Sequence, residues 1–137
     1  MTKKEMTMEI IRNLIHSDLA LIKEFRDETI ECLKELDYDE DLLFKIRLIL
    51  DELIINSYKH GNNKNYEKMI DIIMLLDRDY CMIKVKDEGE GINYIGEEDM
   101  LSDHGRGIKL VYNLADNLIV QDNMISAFLL LDEQEVS

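Results

Sequence analysis

Glu52, Asn56 and His60 recur at i, i+4 and i+8 in the stretch Glu52-Leu-Ile-Ile-Asn56-Ser-Tyr-Lys-His60. On an α-helix that spacing lines up a carboxylate, an amide and an imidazole along one edge. A carboxylate can take a proton from an attacking hydroxyl, and an amide oxygen is a hard ligand suited to a divalent cation. Two glycine-bearing turns follow. In Asp87-Glu-Gly89-Glu-Gly91 a carboxylate stands at the end of a strand, and the two glycines let the backbone approach a flat ligand closely. In Gly105-Arg-Gly-Ile-Lys-Leu-Val111 a glycine turn runs into a helix. The free N–H groups and dipole at such a helix start favour an anion such as phosphate, with Arg106 as a pairing cation. Taken singly, each piece also fits ordinary structure: a solvated helix edge, a tight turn, a glycine-softened helix start. Neither GxxxxGK[ST] nor GxGxxG occurs. The sixth position is Tyr94 after Gly89 and Gly91, and Leu110 after Gly105 and Gly107, so a nucleotide site here is of another kind.

The elements that must position these residues follow from periodicity and turn chemistry. A strand is predicted over 7–15 and a helix over 18–36, with Ser17 or Asp18 as its cap and Leu19, Ile22, Phe25, Thr29, Leu33 and Leu36 at helical spacing. Asp39 or Asp41 caps a second helix that runs to about His60, where Gly61-Asn62-Asn63 stops it. On that helix, at about 100° per residue, Ile46, Leu50, Leu53 and Ser57 form one face while Leu48 and Ile55 fall opposite, so both sides are packed or meet a partner. Strands over 68–76 and 80–86 join through Asp77-Arg-Asp79. A third helix spans 108–114, and strands over 118–121 and 125–131 meet around Asp122-Asn123. Strands and helices do not alternate strictly, which disfavours a parallel doubly wound sheet. The expected fold is α+β: one domain over 1–137, a mostly antiparallel sheet with three helices on one face.

Composition narrows the function. The chain has 137 residues and a formal charge of −14, enough for one core and strongly repulsive to phosphate backbones, so direct nucleic-acid binding is not expected. No purely apolar run exceeds five residues, far short of the ~20 that span a bilayer, so no membrane role is expected either. Met1-Thr-Lys-Lys is followed at once by Glu5 and Glu9, unlike a signal peptide. Cys32 and Cys81 form no CxxC pair and are expected to be reduced, mostly buried thiols of a cytoplasmic protein. His16, His60 and His104 show no metal spacing. The chain lacks proline, and its six glycines all fall between Gly61 and Gly107, which points to that window as the site.

In order and spacing the three motifs resemble the N, G1 and G2 boxes of the GHKL ATP-binding superfamily, which includes gyrase and histidine kinases. Glu52-Leu-Ile-Ile-Asn56-Ser-Tyr-Lys-His60-Gly-Asn62 matches the N box, Asp87-x-Gly89-x-Gly91-Ile92 the G1 box, and Gly105-Arg-Gly-Ile-Lys-Leu-Val111 the G2 box. The chain's size, its leading strand and helix and its short G1–G2 connection are similar to the anti-sigma-factor serine/threonine kinases of bacteria. The resemblance implies a Bergerat-type two-layer α/β sandwich holding ATP and Mg²⁺. It implies Asn56 on Mg²⁺, Glu52 as general base and Asp87 on the adenine amino group. Gly89, Gly91 and Ile92 shape the base wall, and Gly105, Arg106, Gly107 and Ile108 meet the phosphates. Lys59 and His60 stand as phosphate neighbours and Ser126 on the adenine side. The segment 93–104, with Glu97, Glu98, Asp99 and Asp103, becomes an acidic lid. The implied function is phosphorylation of an anti-sigma-factor antagonist and capture of a sigma factor by a homodimer. Its dimer face is the first strand and helix, and Leu21, Phe25 and Ile30 are candidates for an exposed partner patch. Two other functions fit the same motifs: an ATP-binding interaction module without phosphotransfer, and a detached histidine-kinase-like ATPase domain.

Overall fold

A computed structural model of the chain describes residues 8–90 and 107–131. Those residues form β1 (Glu9–His16), α1 (Leu19–Lys34), α2 (Glu40–Asn56), a π-helical turn (Ser57–Gly61), β2 (Met69–Leu76), β3 (Tyr80–Lys86), α3 (107–114), β4 (Asn117–Gln121) and β5 (Met124–Leu130). The five strands make one antiparallel sheet in the order β1-β2-β3-β5-β4. The helices pack on the face that carries Ile70, Ile72, Met74, Cys81, Ile83, Val85, Ile125 and Ala127, giving the expected α+β sandwich. Among the described residues no helix is long and apolar enough to cross a membrane.

Local chemistry accounts for the helix starts. The Asp18 carboxylate accepts N–H bonds from Ala20 and Leu21 (2.9 and 3.1 Å), so Asp18 rather than Ser17 is the cap of α1. Asp39 caps α2 through Leu42 N–H (2.8 Å), with Glu40 and Asp41 placed in the first turn where the dipole favours them. Helix α2 is the anchor. Ile46, Ile49, Leu50, Leu53 and Ile54 are all fully buried, worth about 1.5–3 kcal/mol each, and they fix its orientation over the sheet.

Several boundaries and faces differ from expectation. The second helix does not run as an α-helix to His60; it ends at Asn56 and widens into the π-helical turn, closed by Asn62 N–H on Ser57 C=O (2.7 Å). Asn63 and Lys64 then take left-handed backbone (φ 52° and 60°) and turn the chain towards β2. Phe25 is buried in the core, so it adds nothing to an exposed patch, and Leu21 and Ile30 are half-buried. Both cysteines are free, but Cys32 is exposed and only Cys81 is buried.

Candidate functional site

Three glycines show how the motifs meet. A Cβ added at Gly61 would overlap the Asp87 carboxylate, one at Gly89 would overlap the Gly61 carbonyl, and one at Gly107 would overlap Glu52 Oε1. Each glycine is there for close approach; none of the three has a positive φ. The end of the helical segment is thus pressed against the turn after β3, and Glu52 of α2 against Gly107 of α3. Asp87 and Gly107, 35 and 55 positions beyond Glu52 in the sequence, are thereby both brought against the helical segment 40–61, at Gly61 and at Glu52.

Glu52 and Asn56 share an edge of α2 one turn apart, as the i, i+4 rule predicts. Glu52 is half-buried, with its carboxylate against Gly107 of α3. Asn56 is buried, and its Oδ1 has no hydrogen-bond partner among the described residues. A buried acceptor left unpaired costs about 1–3 kcal/mol, and among the described residues nothing offsets it at Asn56. Next to Glu52, Asp51 faces the other way. Its Oδ1 lies 3.5 Å from Arg26 Nη1 of α1, and burial holds its carboxyl above the ordinary range even though Arg26 and Arg47 pull it down.

Asp87 is the first residue beyond β3 and is buried. Its Oδ1 accepts Gly89 N–H (2.9 Å), which folds the turn around the carboxylate. Its main chain is gripped by Asn123 of the β4–β5 turn: Asp87 N–H donates to the Asn123 carbonyl (3.0 Å), and Asn123 Nδ2 donates to the Asp87 carbonyl. The following peptide is held by Asn62, whose Oδ1 accepts Glu88 N–H (2.8 Å).

With the fold and these contacts in place, the profile of the histidine kinase-like ATPase domain matches residues 15–126. The chain belongs to this family. Among curated relatives, this ATPase domain is similar to the anti-sigma F factor of Geobacillus sp. (strain WCH70), 26% identical over 126 residues that cover 83% of this chain and 86% of the relative. It is also similar to the anti-sigma F factor of Geobacillus stearothermophilus, 26% identical over 98 residues that cover 66% of this chain and 67% of the relative.

The remaining expected site residues of this ATPase domain stand as follows. Gly91, Ile92, Gly105, Arg106 and the lid segment 93–104 lie outside the described residues. Lys59 and His60 sit in the π-helical turn and are exposed; an i→i+5 turn rotates each residue less than an α-turn does, so the edge that holds Glu52 and Asn56 does not extend in line to His60. Ser126 is buried, but it pairs with Lys84 and Ile119 on the sheet face opposite the helices, because its neighbours Ile125 and Ala127 point into the helix-side core. The sequence points to Asn62 only as part of a helix stop and to Asn123 only as part of a hairpin turn. Asn62 lay inside the N-box match, and its position after His60-Gly61 was the only available signal; Asn123 looked like any turn asparagine.

Proposed function

We propose that the chain is an ATP-dependent serine/threonine kinase that phosphorylates an anti-sigma-factor antagonist and sequesters a sigma factor. The observation that carries this is the pair formed by Glu52 and Asn56, a carboxylate against Gly107 of α3 one turn from a buried amide oxygen without a partner among the described residues. That orphaned oxygen is a hard donor and fits Mg²⁺, which accepts one or two protein oxygens alongside substrate phosphates. When bound, Mg²⁺ neutralises charge on the ATP phosphates. Asn56 holds it through Oδ1. Asp87 accepts a hydrogen bond from the adenine 6-amino group, with Gly89, Gly91 and Ile92 along the base. Gly105, Arg106, Gly107 and Ile108 offer N–H groups and one cation to the phosphates, with Lys59 and His60 nearby in the turn. Glu52 takes the proton of the acceptor's Ser or Thr hydroxyl as that oxygen bonds to the γ-phosphorus and the bond to ADP breaks.

The names of the Geobacillus relatives support anti-sigma activity, and with it a cytoplasmic protein with protein partners. The charge of −14 supports protein rather than nucleic-acid partners. Exposed Ile10 and Leu14 on the edge strand β1 support a homodimer built on that part of the fold. The test is incubation of the full chain with γ-labelled ATP and candidate antagonist proteins, wild type against Glu52→Ala. Acid-stable phosphate on a partner Ser or Thr, lost in the variant, is expected. Acid-labile phosphate would assign histidine-kinase chemistry instead, and ATP binding without transfer would assign an interaction module.

A further inference from the structure

Asp87 lies where the sheet stops holding the chain. The last ladder pairs of β3 are Lys86 with Asp71 on one side and Lys86 with Met124 on the other. Beyond them, the Asp87–Glu88 peptide is held by two asparagine side chains from different parts of the fold, and the Asp87 N–H by the Asn123 main chain. Asn62 is fully buried. Its Nδ2 donates to Ser17 Oγ (2.8 Å) and to the Met69 carbonyl (3.0 Å), while its Oδ1 accepts Glu88 N–H. Ser17 passes the linkage on by donating to the Lys68 carbonyl (2.8 Å), and Glu88 Oε2 accepts Met69 N–H (2.6 Å). From the opposite side, Asn123 takes both the N–H and the carbonyl of Asp87 itself. Three main-chain polar groups around one carboxylate are therefore fixed, and Gly61 closes in on the carboxylate from above the turn.

We propose that Asn62 and Asn123 form a clamp that sets the base specificity of the site; both are positioning residues that act through Asp87. The inference rests on the reading of Asp87 as the adenine contact. A carboxylate accepts a hydrogen bond from a 6-amino group but faces a 6-oxo group acceptor to acceptor. It rejects the 6-oxo base only while it is unable to retreat or to admit water between the two acceptors. A fully paired buried network supplies that rigidity, and a site built to bond a polar group discriminates strongly against the analogue that cannot return the bond.

The experiment measures Kd for Mg-ATP and Mg-ITP on the full chain by calorimetry, in wild type, Asn62→Asp and Asn123→Ala, with thermal melts alongside. ITP differs from ATP in carrying the 6-oxo group. Wild type is expected to prefer ATP by about 10–100-fold, the worth of one charge-assisted hydrogen bond. Asn62→Asp keeps the shape and the acceptor for Glu88 but turns an acceptor towards Ser17 Oγ and the Met69 carbonyl. Asn123→Ala removes the side-chain bond to the Asp87 carbonyl and leaves the main-chain bond from Asp87 N–H to the Asn123 carbonyl in place. Each is expected to cut the ATP:ITP ratio at least about fivefold while ITP affinity moves less than about twofold. Parallel losses for ATP and ITP in folded variants would mean a merely structural role and overturn the clamp, as would an unchanged ratio. If Asn62→Asp does not fold, Asn123→Ala, in a half-exposed turn, decides alone. Failure of the underlying reading shows elsewhere: wild type itself then binds no ATP or fails to prefer it over ITP.

Discussion

Replacing Asn56 by leucine separates what this residue does for the fold from what it does for the ligand. Asn56 Oδ1 is buried without a partner among the described residues, a condition that costs about 1–3 kcal/mol. Leucine has the same branched outline with somewhat larger volume, so Asn56→Leu removes the unpaired acceptor without leaving a cavity. Asn56 is 8% exposed, so water relieves part of the cost and the low end of the range applies. The variant is expected to be more stable by about 1 kcal/mol, a rise in Tm of about 3–5 °C for a chain of this size. Urea denaturation without metal or nucleotide measures this. Calorimetry with Mg-ATP and with ATP in EDTA measures the other side. Affinity for Mg-ATP is expected to fall at least about 50-fold and that for metal-free ATP less than about threefold, since only the metal contact is lost. A variant less stable than wild type would show that Oδ1 is satisfied in the free protein. Equal losses with and without Mg²⁺ would refute the metal role.

Gly107→Ala pushes the Glu52 carboxylate aside without touching main chain, so phosphotransfer is expected to fall by about 10²–10⁴ while Mg-ATP affinity stays within about fivefold; near-normal transfer in a kinase assay would remove Glu52 from the chemistry. Burial pushes the Cys81 thiol up to about 12, whereas Cys32 is exposed, so a thiol reagent at pH 8 is expected to label one cysteine in the native protein and two in guanidinium. Burial also holds the Asp51 carboxyl above its unfolded range, so the folded state keeps that proton longer and this site's contribution to stability declines as pH rises from the ordinary carboxylate range through the folded value. The stability of Asp51→Asn relative to wild type is accordingly expected to increase between about pH 4 and pH 7 in urea titrations, and a decrease would reverse the sign of the assigned shift.

Elements with strong periodicity were legible in the sequence. The alternation of β2, with Ile70, Ile72, Met74 and Leu76 inward, and the 3–4 spacing of Ile22, Phe25, Thr29 and Leu33 on α1 translate directly into buried faces. The α2 edge was legible as far as Asn56, because an i, i+4 argument is valid inside an α-helix. It failed at His60 because the π-helical turn changes the rotation per residue, and no spacing rule anticipates that change. Ser126 was chosen by resemblance, and strand parity, which depends on knowing where β5 starts, placed it on the far face. The asparagines were illegible for a different reason. Asn62 and Asn123 are 61 positions apart, and their shared purpose exists only once both reach the peptides around Asp87.

That convergence follows from antiparallel pairing. Because β2 runs against β3, the start of β2 lies beside the end of β3, with Asp71 opposite Lys86. The chain leaving α2 must pass through Gly61 and Asn62 to reach the start of β2, so it is delivered to the end of β3 whatever the loop between them does. Because β5 also runs against β3, the β4–β5 turn arrives at that same end, with Met124 opposite Lys86. Asp87 is thus met from one side by the N-box tail and from the other by Asn123. A slip of one residue between β3 and β5 would turn Ile83 and Val85 out of the core and at the same time carry Asp87 away from the Asn123 carbonyl. The hydrophobic pattern that fixes the register therefore also fixes the carboxylate, and the precision of the site is drawn from the core rather than from the loops that carry it.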